Sequence, residues 1–215
     1  MRTILTMRIE TLKAEPDRAG RFWITLDNGK KMALYRQTVE DFGLYPGKEL
    51  SDEQWQQLET AVGQMSAKMR AVRIVAASSV SQKDLRQRLI QKGENPEHAA
   101  EAVAWMTEMH LVDDEETARQ IVSRCVSHGY GMTRAKQALY EKKIPKQYWD
   151  AALAEYPDQT EHILTFLRGR LKDVSDQKAV KKAMDALLRR GHSYSEIRAA
   201  LRQLKMDPDE FPEEM

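Results

Sequence analysis

The residues whose type and spacing could do chemistry in this chain are cations. Lys92, Lys142 and Arg190 recur about fifty residues apart, each three residues after a leucine (Leu89, Leu139, Leu187). Lys83, Arg86, Arg134, Lys136, Lys143, Lys181, Lys182 and Arg189 fall on the same three stretches, and Arg119 and Arg124 precede the second. Ammonium and guanidinium groups pair with phosphate and carboxylate oxygens, so a spaced array of them can track a polyanion or an acidic protein surface. A cation near the end of a helix also complements the helix dipole, which is a purely structural reason for part of the pattern.

Other chemistries find no support. Gly43 to Lys48 lacks the spacing of a phosphate-binding loop and reads as a turn. The five histidines, His98, His110, His128, His162 and His192, are scattered without metal-ligand spacing. His98 and Glu101 form at most a surface pair, and Asp113-Asp114 reads as a helix cap. The single cysteine, Cys125, excludes an intramolecular disulfide, suits a reducing compartment and reads as a small core residue. No Ser/His/Asp or Cys/His arrangement emerges, so the expectation is a non-enzyme without cofactor or metal. No apolar run approaches the roughly 18 residues that span a membrane, and the first dozen residues alternate rather than forming a signal-peptide core. The expectation is a cytoplasmic monomer with no membrane contact.

The cations must be positioned by helices. In Ser81–Asp114, Ser81 is an N-cap, Leu85 and Leu89 share a face, Lys92-Gly93 ends the helix, and Asn95-Pro96 starts the next, with Ala99, Val103 and Met106 as its buried stripe. The skeleton returns as Ala135, Leu139, Lys142, Lys143 and Leu153, then as Ala183, Leu187, Arg190, Gly191 and Leu201, with Ser193 and Glu196 as a capping box. Leader helices, the first from Met65 to about Ala77 and the others around Ala118–Cys125 and Ile163–Leu171, make each unit three helices, and a period near fifty residues signals stacked helical repeats. Trp105, Trp149 and Tyr156 read as packing residues on the third helices. Ahead of the repeats, residues 4–13, Phe22–Leu26 and Met32–Leu34 alternate as strands, with an Asn28-Gly29 hairpin turn. A short helix is expected over Thr38–Phe42, and Ser51-x-x-Gln54 opens another. The predicted fold is mainly α: a β-rich module over 1–62, three-helix repeats over 63–112, 113–157 and 158–206, and an acidic tail over 207–215.

The net charge of +1 conceals segregation. Residues 65–92 carry seven Lys/Arg against Asp84, residues 94–117 carry eight Asp/Glu and no Lys/Arg, and residues 118–146 carry seven Lys/Arg against Glu141. Such bands offer basic strips to a polyanion or an acidic protein. From residues alone, two readings stand side by side: a sequence-nonspecific DNA-binding protein and a helical-repeat interaction adaptor.

At these same residues the chain resembles the RecX family. Ser81, Asp84, Leu85, Leu89, Lys92 and Gly93 match its S-x-x-E-L-x-x-x-L-x-x-K-G signature, with Asp for Glu. Leu111 to Asp114, Ala118, Arg124, Gly131 and Lys136 to Ile144 resemble its second repeat; Leu187 to Gly191 with Ser195 to Ile197 resemble its third. The N-terminal hairpin, with Leu44, Gly47 and Leu50, resembles the extra region of longer members. Where the family often has a basic run before the first signature, this chain has Ser78-Ser79-Val80-Ser81, leaving Lys83 and Arg86 as the cations there. The resemblance implies a regulator, mainly an inhibitor, of the RecA recombinase that lies along the RecA–DNA filament groove. It would modulate ATPase, strand exchange and coprotease activity in recombination, repair and the SOS response. DNA contact, single- or double-stranded, would be weak and nonspecific.

Overall fold

The computed structural model describes residues 6–206, which divide into two compact units, one ending at Val112 and the other starting at Asp113. Leu5, expected on the first strand, and the acidic tail lie outside the described residues.

The first unit opens with four strands, β1 (Thr6–Leu12), β2 (Arg21–Leu26), β3 (Lys31–Tyr35) and β4 (Glu49–Ser51), in an antiparallel sheet of order β3-β2-β1-β4. β4 is a short strand that the alternation rule misses, since three residues do not establish a period. Gly29 takes φ 78° in the predicted hairpin, and Lys30 N–H donates to the Asn28 side chain. Helix α1 (Arg36–Asp41) begins slightly earlier than expected. The inward residues Ile9, Ile24, Leu26, Leu34 and Leu50 form one core with Trp55 and Leu58.

Those last two residues belong to α2 (Asp52–Ala77), opened by the Ser51/Gln54 capping box. The helix runs unbroken for 26 residues, so the boundary expected at 62/63 falls inside it. Its first turns close the sheet, while Ala67, Ala71 and Ile74 enter a second core with Leu85 and Leu89 of α3 (Gln82–Gln91) and Ala99, Val103 and Met106 of α4 (Pro96–Glu108). A nearly buried Glu94 carboxylate joins these parts by accepting from Arg70 at 2.6 Å and from Ser66 at 3.0 Å.

The second unit holds two three-helix repeats. Asp113 caps α5 (Asp114–Ser127) by accepting from Glu115 and Glu116 N–H, as expected of an N-terminal carboxylate. α6 (Met132–Glu141) follows, then a 3₁₀ turn at Lys146–Tyr148 leading into a short α7 (Trp149–Leu153). Ala118, Val122, Cys125, Ala135, Leu139 and Leu153 form their core. Tyr156, expected on a third-helix face, lies past the end of α7, because Pro157 disfavours the helical conformation of the residue before it. It still packs on this core, donating from its hydroxyl to Tyr130 O at 2.7 Å; burial pushes the pKa of that hydroxyl up to about 12.

The last repeat comprises α8 (Thr160–Arg168), α9 (Gln177–Arg189) and α10 (Tyr194–Met206). Its core collects Ile163, Leu167, Ala183, Leu187, Ile197 and Leu201. α9 is thirteen residues where α3 and α6 are ten, since the Asp176 cap starts it early. The Ser193/Glu196 capping box forms as predicted.

Candidate partner-binding surface

The predicted cations sit mainly on the middle helix of each repeat. Lys83, Arg86 and Lys92 are exposed on or just after α3; Lys136 is exposed on α6; Lys181, Lys182 and Arg189 are exposed on α9. Each helix buries an i, i+4 apolar pair (Leu85/Leu89, Ala135/Leu139, Ala183/Leu187), which turns these cations to solvent. Among the described residues none of these seven enters an ion pair, and neither does the exposed Arg124 of α5. Arg119 differs: it holds Glu115 at 2.6 Å and Glu116 at 3.0 Å, and this pairing lowers the pKa of the Glu116 carboxyl and raises that of the guanidinium. Its charge is spent within its own helix.

Lys142 and Lys143 are half-buried, not the open surface sites their sequence suggests; they end α6, their backbone N–H groups donating to Ala138 O and Tyr140 O. Lys143 has φ 56° where the equivalent residues Gly93 and Gly191 have 89° and 87°. A lysine thus occupies a left-handed position that favours glycine.

Within the second unit the structure brings α6 and α9 end to end. The backbone N–H of Gly131 donates to Arg190 O at 3.0 Å, and that of Thr133 donates to Gly191 O at 3.3 Å. Helix starts lack acceptors and helix ends lack donors, so each end satisfies the other. Gly131 therefore stands as an N-cap without a side-chain cap, where α3 uses Ser81. Arg190, the predicted last-turn cation, lies over the Phe166 ring at 4.9 Å and the Tyr130 ring at 5.9 Å, so it also seals this joint.

Arg124, Arg134, His128 and Lys142 rim a cavity of about 320 Å³ between α5 and α6, walled by Ile121, Cys125, Tyr130 and Ala138. Arg134 reaches Glu141, two turns along α6 on the same rim, at 3.2 Å. Burial raises the pKa of the Cys125 thiol, outweighing the opposing pull of Arg134 and Arg124, which leaves it a poor nucleophile. Among the described residues, no group of three or more His, Cys, Asp and Glu is placed to hold a metal, and no helix is long and apolar enough to cross a membrane.

The joint also depends on His192, which in the sequence is one of five scattered histidines. It is buried, and Nε2–H donates to Gly129 O at 3.0 Å. That fixes Nδ1 as the bare nitrogen, and it has no hydrogen-bond partner among the described residues. Burial lowers the His192 pKa below 6.5, opposed by the Gly129 bond and Glu196 and aided by Arg190 and His162. The unfolded chain therefore takes up the proton first as pH falls through 6.5, and stability is lost progressively below that pH. His192→Gln, which keeps a donor for Gly129, is expected to flatten the fall in urea midpoint between pH 7 and pH 5. An unchanged slope would mean that His192 does not drive it. The signal available in sequence was Gly131, a cap position with no side chain to cap it.

No protein-family model matches the chain. Its sequence is 27% identical over 211 residues to the regulatory protein RecX of Clostridioides difficile (strain 630), covering 95% of this chain and 97% of that one. It is 31% identical over 136 residues to the regulatory protein RecX of Xanthomonas axonopodis pv. citri (strain 306), covering 62% of this chain and 84% of that one. Among solved structures, a crystal structure of regulatory protein RecX superposes with a TM-score of 0.63 at 22% identity, over 90% of this chain and 99% of that one. The RecX of Lactobacillus salivarius superposes with a TM-score of 0.59 at 21% identity, over 68% and 99%. With the signature residues on α3, α6 and α9 and the relatives matching along the chain, this protein belongs to the RecX family of regulatory proteins.

Proposed function

We propose that the chain is a non-enzymatic inhibitor of a RecA-type recombinase. It binds as a cytoplasmic monomer along the recombinase–DNA filament and lowers its ATPase, strand-exchange and coprotease activities. The observation that carries this reading is the set of exposed cations, without ion pairs among the described residues, on the middle helix of every repeat in a RecX-family chain. Repeats that present the same group at a fixed interval suit a partner that is itself repetitive.

The test is recombinase ATPase on single-stranded DNA with this protein titrated in at two salt concentrations. Inhibition below one chain per recombinase subunit, persisting at the higher salt, is the expected result; no inhibition at equimolar protein would sink the proposal. The neighbouring Lys181 and Lys182, both exposed, favour a second reading in which the chain competes for DNA. That reading requires inhibition at low salt only, in parallel with direct DNA binding that falls steeply with salt.

A further inference from the structure

The same middle helices carry a second repeated feature that is not a charge. Ile90, Tyr140 and Leu188 occupy one register position, immediately after the buried leucines Leu89, Leu139 and Leu187. All three are exposed, at 39%, 73% and 42%. Single exposed apolar residues are ordinary. Three at one register position of three repeats are not, because the core is already filled by the preceding leucine and nothing in folding asks for an apolar residue there. The solvent face of α3 is otherwise largely polar, with Lys83, Arg86 and Gln87; that of α6 carries Thr133, Lys136 and Gln137, with Met132 at its first turn as a further exposed apolar residue.

We propose that Ile90, Tyr140 and Leu188 are docking knobs for a protein partner that offers, on successive subunits, an apolar pocket bordered by carboxylates. The borders follow from what flanks each knob. Arg86 lies one turn before Ile90 and Lys92 two residues after it, both exposed; exposed Lys136 lies one turn before Tyr140 in the same way, while Lys142 after it is half-buried. In the last repeat Arg190 is taken up over Phe166 and Tyr130, and exposed Lys181 is the cation beside Leu188, while Met184 and Val180 extend Leu188 into a stripe. With Tyr194 that stripe lines a groove of about 450 Å³. The chemistry selects protein over nucleic acid. Bases bind by stacking on aromatic faces, and two of the three knobs are aliphatic. An apolar side chain set among cations instead fits the usual anatomy of a protein interface, with an apolar anchor and a charged rim.

This inference rests on the filament reading above, and the experiment separates the two. Full-length chains carrying Ile90→Ser, Tyr140→Ser and Leu188→Ser, singly and together, are compared with wild type for binding to recombinase filaments and to naked single-stranded DNA. The expected result is roughly a 5-fold loss of filament affinity per change and at least about 50-fold for the triple variant, since linked contacts multiply. Naked-DNA affinity and the thermal midpoint should stay at wild-type values. The conservative set Ile90→Val, Tyr140→Phe and Leu188→Met should bind as wild type does, which tests the surface without polar substitutions. A triple serine variant that keeps full filament affinity, or loses naked-DNA affinity in parallel, overturns the docking knobs while the filament reading stands. Wild-type protein that fails to bind filaments overturns the filament reading itself, and the knobs with it.

Discussion

Gly191→Ala is expected to destabilise the second unit by about 3 kcal/mol and to lower the thermal midpoint by roughly 10 °C. Two costs combine. The residue has φ 87°, a conformation that costs an L side chain about 1 kcal/mol. A Cβ there would also lie 2.6 Å from the Arg134 Cβ and 2.9 Å from its Cα, and backbone in that position cannot swing aside as a flexible side chain would. Gly131 on the opposite side is equally closed, facing the Gly191 carbonyl. The register supplies its own control. Gly93 has φ 89°, and the space a Cβ would take there has no neighbour within 4 Å, so Gly93→Ala should cost only the backbone term, about 1 kcal/mol. Hydrogen exchange locates the effect: the Gly131 and Thr133 amides should exchange faster in Gly191→Ala and not in Gly93→Ala. Equal losses for both alanine variants would mean that the α6–α9 joint contributes nothing to stability.

The same glycines show how far local signals reach. The helix stops were legible because Gly93 and Gly191 are local signals, as were Ser81, Asn95, Asp113 and Ser193 as caps. The cores of the repeats were legible from i, i+4 apolar pairs. The continuous α2 was not, because a helix that changes the face it buries midway, from Trp55 and Leu58 to Ala67 and Ala71, reads as two amphipathic pieces. The end-to-end joint was not legible either, since it is made by backbone groups of Gly131, Thr133, Arg190 and Gly191 that carry no side-chain pattern. For the cations, position could be read from the sequence but pairing could not. Arg119 and Arg124 look alike on α5, yet only Arg119 is held by two carboxylates. Nor could charge alone single out the knobs, which are neutral.

The pairing difference leads to the largest expected effect on binding. Lys136, Lys181 and Lys182 are exposed and, among the described residues, enter no ion pair, so changing all three to Glu should leave the fold near wild-type stability. Each reversal removes an attraction and adds a repulsion toward an anionic partner. At about 1 kcal/mol apiece, the triple variant should bind the recombinase filament roughly 100-fold more weakly. Arg119→Gln is the informative comparison. Its guanidinium is already neutralised by Glu115 and Glu116, so the change should loosen the first turn of α5 slightly and leave filament binding intact. Measuring both variants across a salt series separates the two possible partners of the lysines. If they contact phosphates, the wild-type slope of log affinity against log salt is steep and the reversal flattens it, by about one unit per lost phosphate contact. If they contact carboxylates of the recombinase, the slope is shallow in both and the loss appears mainly as faster dissociation. A triple reversal that binds like wild type would remove these lysines from the interface and leave Lys83, Arg86 and Lys92 of the first unit, with Arg124 and Arg189, as the cations to test.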